Sequence, residues 1–314
     1  MKIKDLTKVG NADGLEAIVS ERAVREKKNG DQYFTGKLLD NTGVVNFTCW
    51  SIELFNTFQT GNAVILSNSS MGEYNGDLQM TVKTASVIPV SRAEAAGIIP
   101  VSPMTLVQLD DYFESIVKIM TDKIPDIAVG INKMQADGTL DKFKLYPAAM
   151  RIHQAYLRGL YEHSISVTRL ASRCMGVYDE RAGVNNMNGT ILLLGALFHD
   201  IGKIWEYEMG PLGLVSDVSV IGGLSGHHFL GAEYLKKIFY DILTPIELNK
   251  LIHIILAHHG RKEWGSPVEP RIMEAFIVHH CDMIDGAFER YTEVQSEDRW
   301  IWNKGNDTIL NPIV

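Results

Sequence analysis

The rhythm of apolar and polar positions changes once along the chain, near residue 90. Before that point it alternates. In "GVVNFTCW", Val45, Phe47 and Cys49 fall on one face and Asn46, Thr48 and Trp50 on the other, the two-residue period of a half-buried strand. Asp40-Asn41-Thr42-Gly43 reads as a turn between two β-rich runs, and Asn75-Gly76 as a hairpin turn between two more. Together with the run that starts at "LEAIVSERAVRE", this predicts about five short strands, enough for a small closed barrel.

After Pro89 the texture changes. "SRAEAAGIIPVSPMT" carries two prolines and several small breaking residues, which marks a linker. From Thr105 onward apolar residues recur at spacings of three and four, the period of helices. Thr244-Pro245-Ile246-Glu247 is a capping box with proline at the first helical position, and Gly260 closes the helix "PIELNKLIHIILAHHG". Long helices are predicted from about Ala148 to Met175 and from about Pro270 to Glu289. The expected organisation is a β-barrel domain over 1–90, a linker over 91–104, an all-α domain over 105–295, and a tail over 296–314 with Trp300 and Trp302 and little regular pattern. The fold class is therefore multidomain, β then α.

Composition adds a few limits. With 46% hydrophobic and 22% charged residues the chain is that of a globular protein with a real core. Its net charge of −8 argues against general electrostatic adhesion to nucleic acid, so any such contact needs a local groove. Cys49, Cys174 and Cys281 are far apart and form no CxxC pair, which suits reduced, buried thiols. The longest apolar run, Ile191 to Phe198, is far shorter than a membrane span, and "MKIKDLTKVGNADG" lacks the apolar stretch of a signal peptide. The expectation is a cytoplasmic protein with no membrane partner; the pattern sets no oligomeric state.

The chemistry concentrates in the helical half, where the histidines lie between His153 and His280. "LLLGALFHDIGKIWEYE" is apolar enough for a buried helix, yet it ends in His199-Asp200. On the long helix His163 shares a stripe with Leu160, Val167, Leu170 and Cys174; Asp282 shares one with Ala275, His279 and Gly286; His258 and His259 end the capped helix on the side of Leu251 and Ile255. Each of these side chains, buried without a partner, would cost about 1–3 kcal/mol. Bound metal ions offset that cost. Imidazole and carboxylate donors suit divalent manganese, iron, cobalt, nickel or zinc, and the lack of inward cysteines beside them argues against a structural zinc site.

These residues carry a resemblance. "HDIGK" at His199 to Lys203, with a histidine upstream in "YEHS" and an aspartate downstream in "HHCDMID", is similar to the HD superfamily of metal-dependent phosphohydrolases. "YPAAMRIHQAYLRGLYEHSISV", "GHHFLG", "AHHGRKEWGSPVEPRIMEAFIVHHCDMID" and "LLDNTGVVNFTCW" together resemble the YhaM family of 3′→5′ exoribonucleases, in which an OB-fold barrel precedes an HD domain. The likeness runs from about Asp5 to the tail. It implies that His163, His199, Asp200 and Asp282 hold one metal ion, with Asp200 bridging to a second held by His227, His258 and His259. In "GHHFLG" periodicity does not choose between His227 and His228; the family-like placement of Gly226 and Gly231 favours His227, leaving His228 packed or near the substrate. The chain departs from the family where Met283 follows Asp282, a position usually filled by asparagine. Asp285, three residues on, is either a hydrogen-bond partner of a ligand or a structural residue.

The resemblance implies two divalent ions, manganese first, and release of 5′-nucleotides from the 3′ end of single-stranded RNA, with single-stranded DNA as a second partner. Asp200 and Lys203 are the expected catalytic residues, Lys203 sitting where it can approach the phosphate. Gly202 is expected to let the chain turn away beside the site. On the barrel, Tyr33, Trp50 and Tyr74 are candidate stacking platforms, and Arg22, Arg25, Lys28 and Lys37 candidate phosphate contacts. Phe47 is expected in the core, and Trp50 stays open between core and platform. His153 either lines the substrate channel or packs. Two alternatives remain: a phosphohydrolase of small nucleotides or cyclic dinucleotides, and an OB-fold binding protein with an inactive HD scaffold.

Overall fold

The computed structural model describes residues 1–6, 10–74, 77–89, 92–93, 97–150, 154–179, 187–210, 212–293, 301–303 and 308–310. The chain divides into two compact units, one of 1–101 with 208–217 and one of 102–207 with 218–314. Among the described residues no helix is long and apolar enough to cross a membrane.

Five long strands build the first unit: β2 (Glu16–Glu26), β3 (Gln32–Asp40), β4 (Gly43–Cys49), β5 (Ala63–Tyr74) and β6 (Asp77–Val87), with a two-residue β1 (Gly10–Asn11) added beside β5. The pairings β2–β3, β3–β4, β5–β6 and β2–β5 are antiparallel; a parallel β4–β6 pairing closes the ring. Closure removes the exposed sheet edges. The predicted turn at Asp40–Gly43 is held by Asp40, whose Oδ1 accepts from the Thr42 amide at 2.7 Å and hydroxyl at 2.6 Å. The Asn75-Gly76 turn lies outside the described residues, but Tyr74 pairs with Asp77 across it. Phe34, Phe47 and Phe58 fill the barrel with Leu38, Leu66 and Met80, the rings packing at centroid distances of 4.9–5.9 Å. Phe47 is thus a core residue, and Trp50 lies outside, 51% exposed.

The second unit is helical: α1 (Leu106–Thr121), α2 (Ile127–Ala136), α3 (Thr139–Leu145), α4 (Gly159–Asp179), α5 (Gly189–Phe198), the single turn α6 (Lys203–Glu206), α7 (Val220–Phe239), α8 (Pro245–Ala257) and α9 (Met273–Glu293). Short hairpins β7–β8 (Tyr207–Met209, Val215–Val218) and β9–β10 (Ile301–Asn303, Thr308–Leu310) complete the described chain. Helix α5 is buried from Thr190 to Phe198, as an all-round apolar helix must be. Asn188 caps it, accepting from the Ile191 amide at 3.1 Å. Thr244 and Glu247 form the predicted capping box of α8.

The predicted helix start at Ala148 is wrong by about three turns. Gln154 and Arg158 take positive φ, 52° and 68°, which no helix accommodates. The segment instead folds back on the end of α3: the Arg158 amide bonds the Leu145 carbonyl, and the Leu160 amide that of Tyr146. Helix α4 therefore begins at Gly159, just ahead of His163.

Candidate metal centre

Two helix ends and three helix faces bring the predicted ligands together. Helix α5 ends at Phe198 and hands on to His199 and Asp200, both fully buried; α4 presents His163, α9 presents Asp282, α8 ends in His258 and His259, and α7 presents His227 and His228. Helix α7 bends at Gly226, where φ is 68° and ψ 158°. That backbone conformation favours glycine, and it sets the direction of the helix turn that carries both histidines.

Asp200 sits between two groups of donors. Its Oδ2 lies 3.5 Å from Nε2 of both His163 and His199. Its Oδ1 lies 3.3 Å from Nε2 of His258 and 3.6 Å from Nε2 of His227. On the Oδ2 side, Asp282 Oδ1 is 3.1 Å from His163 Nε2 and 3.8 Å from His199 Nε2. On the Oδ1 side, ligand atoms of His227, His228, His258 and His259 all lie within 4.8 Å of one another. The structure thus joins all seven predicted ligands and adds His228.

The rings are oriented from behind. His199 Nδ1 donates to the Ala196 carbonyl at 2.8 Å, His258 Nδ1 to that of Ile255 at 2.7 Å, and His259 Nδ1 to that of Trp264 at 3.1 Å. A carbonyl only accepts, so each ring carries a proton on Nδ1, and Nε2 is the atom turned toward the centre. His227 Nδ1 meets the Glu206 carboxylate at 3.0 Å, and His163 Nδ1 meets Asp285 Oδ2 at 2.7 Å. Gln154 Nε2 donates to the same Asp285 oxygen at 3.0 Å. Asp285 is therefore the hydrogen-bond partner of His163. Glu206 was not found by sequence; it lies in the same stretch as "HDIGK", but on a single turn that shows no stripe.

The set fits divalent ions on its own geometry. Asp200 Oδ1 and the Nε2 atoms of His227, His228 and His258 are buried with no hydrogen-bond partner, a state that native proteins rarely tolerate without a ligand. Burial pushes His258 down to about 3, and pushes His228 lower still, with the neighbouring histidines adding to it; neutral imidazole is the form that ligates. Burial acts against charge at His163 too, but Asp282 and Asp285 outweigh it and raise the ring to about 10. Burial likewise opposes charge on Asp200, which Lys203 and His199 nonetheless hold well below the ordinary carboxylate range. Lys203 Nζ lies 2.6 Å from Asp200 Oδ2; burial would neutralise it, but Asp200 keeps it an ammonium ion.

Because Asp285 and Glu206 orient ligands without facing the centre, replacing either with alanine is expected to weaken metal binding about 10- to 100-fold. Calorimetric titration with manganese measures this, and an affinity within twofold of the parent would remove these residues from the site.

The barrel candidates fall into two places. Tyr33 stacks on the exposed Trp50 at a centroid distance of 4.7 Å, Lys27 Nζ sits 5.3 Å over Trp50, and Arg25 pairs with Tyr33 across β2 and β3. Lys28 is exposed in the adjoining turn. Arg22, Arg25 and Lys37 line a groove of about 370 Å³ with Thr35, Asn46 and Gln79. Within it Lys37 pairs with Glu21 at 3.2 Å, and Arg22 donates to the Phe55 carbonyl at 2.6 Å while covering its ring. The Tyr74 side chain and His153 lie outside the described residues.

Residues 160–287 match the HD domain family model. The chain is 25% identical over 314 residues to the 3′-5′ exoribonuclease YhaM of Listeria innocua, covering 97% of this chain and 96% of that one. It is 29% identical over 283 residues to the protein of the same name in Bacillus subtilis, covering 84% and 85%. Among solved structures, an OB domain from Methanosarcina mazei is 29% identical, covering 28% of this chain and 80% of that one, at a TM-score of 0.23. The HD domain of the phosphodiesterase PgpH from L. monocytogenes is 22% identical, covering 44% and 70%, at a TM-score of 0.28. The described residues thus hold a closed five-stranded barrel followed by a helical unit that matches the HD domain model and carries a His/Asp cluster able to hold divalent metal.

Proposed function

We propose that the protein is a metal-dependent exoribonuclease that shortens single-stranded RNA from its 3′ end and releases 5′-nucleotides, with single-stranded DNA as a second substrate. The observation that carries this reading is Asp200, whose two oxygens face two separate donor groups at 3.3–3.6 Å. Two divalent ions held there, manganese first, would supply activation of a water and charge neutralisation at the phosphoryl oxygens. His163, His199 and Asp282 would hold one; His227, His258 and His259 would hold the other, with Asp200 shared. Lys203 brings a positive charge to the edge of the bridge, placed for a hydrogen bond to a phosphoryl oxygen.

The barrel supports a chain-like substrate. The Tyr33–Trp50 shelf with Lys27, Lys28 and Arg25 around it offers a base a ring face and a phosphate a cation. The direction of attack rests on the named relatives, which match nearly the full chain. The test is purified protein with manganese and single-stranded RNA labelled at its 5′ end. A ladder of progressively shorter labelled products, blocked by a modified 3′ terminus, is the expected result. Internal cuts that ignore the 3′ block would overturn the direction, and faster turnover of free nucleotides or cyclic dinucleotides would overturn the substrate class.

A further inference from the structure

Beside the metal cluster the second unit has a groove of about 530 Å³ walled by Trp264, Phe276, His280 and Met283, with Arg261 and Glu269 also lining it. It is tied to the cluster through the chain. His259 bonds the Trp264 carbonyl, His279 Nδ1 donates to the His258 carbonyl at 2.8 Å, and Met283 follows Asp282. On α9 the residues Phe276, His280 and Met283 form one stripe at spacings of four and three, around the helix from Asp282.

The ring surface there is left open to solvent. Trp264 is 46% and Phe276 51% exposed, and Phe276 lies against the His280 ring at a centroid distance of 4.1 Å. Exposed aromatic surface gathered at one place marks a binding surface. The charges that line the groove, one arginine and one glutamate, cancel, so it offers flat π-faces and a sulfur rather than a sink for phosphate. Arg261 itself covers one side of Trp264, 4.8 Å from the ring.

Building on the nuclease reading, we propose that this groove is the subsite for a nucleobase next to the scissile phosphate, with Trp264 and Phe276 as its stacking walls. A free base face is what these rings can take up. This groove sets the position of the end being cut. Stacking tolerates every base, so the subsite confers little sequence preference.

The test compares Trp264→Ala, Phe276→Ala and Trp264→Phe with the parent on a short single-stranded oligoribonucleotide. Parallel substrates carry an abasic residue at the last or the penultimate position. Each alanine variant is expected to raise KM about tenfold, with a smaller change in kcat and unaltered manganese stoichiometry, and Trp264→Phe to recover most of the loss. On the substrate abasic at the contacted position, parent and alanine variants should converge, which a merely structural role would not produce. An unchanged KM, or a loss of equal size on all substrates, overturns the subsite. A parent protein that degrades no oligonucleotide overturns the nuclease reading itself, and shows this before any variant is compared.

Discussion

Replacing Asp200 with alanine is expected to lower RNA hydrolysis by about 1,000-fold or more, because the bridge between the two donor groups is lost. The variant also leaves the buried Lys203 ammonium without the carboxylate 2.6 Å away, so some stability is lost with it. Asp200→Asn separates the two effects. It keeps the shape and one accepting oxygen but removes the charge, and it should be nearly as inactive while keeping the circular-dichroism spectrum and RNA affinity of the parent. Activity within tenfold of the parent in either variant would mean that Asp200 is no bridge. Unfolding of both would make its role structural.

Metal removal is the second large effect. Chelation is expected to abolish hydrolysis and, at metal levels of about 100 times Kd, to withdraw about 2.7 kcal/mol of stabilisation. For a unit of this size that is a fall in Tm of about 5–10 °C, read by calorimetry with and without added manganese. The pH dependence has a definite sign. In the metal-free protein His163 holds its proton up to about 10, burial opposing but Asp282 and Asp285 prevailing, and coordination through Nε2 must expel that proton. Apparent metal affinity should therefore rise with pH, about tenfold per unit between pH 7 and 9 for one proton displaced. The chelated protein should behave in the opposite way. A ring whose pKa is raised on folding contributes stability below its unfolded value near 6.5, and that contribution fades as pH rises toward 10. Affinity that is flat in pH would show that His163 is not a ligand.

The sequence made part of this centre readable because α4, α8 and α9 are regular. A three-and-four spacing fixes which side chains share a face, so His163, His258 and Asp282 could be assigned to a common interior before any coordinates. The failures share a cause as well. Glu206 sits on a single turn, where no repeat distinguishes inside from outside. His227 and His228 both fit a broad apolar stripe, and both rings reach the cluster directly after the bend at Gly226. The start of α4 depends on positive φ at Gln154 and Arg158, residues whose types give no warning of it. On the barrel the β-period placed Phe47 correctly, but it could not show that Arg22 is bound to the Phe55 carbonyl.

Gly202 has a different role from the one its place in "HDIGK" suggests. Its backbone is ordinary helix, φ −60° and ψ −20°, so it is not there to turn the chain. A Cβ at this position would lie 1.9 Å from the His227 carbonyl oxygen and 2.8 Å from the Gly231 amide nitrogen. The backbone of the "HDIGK" turn and the backbone of α7 touch with nothing between them. The gap between the two halves of the centre is thus gauged by a missing methyl group. Alanine at 202 would act as a shim, driving the helix of His227 away from Asp200 and widening the span between the two halves without altering one ligand.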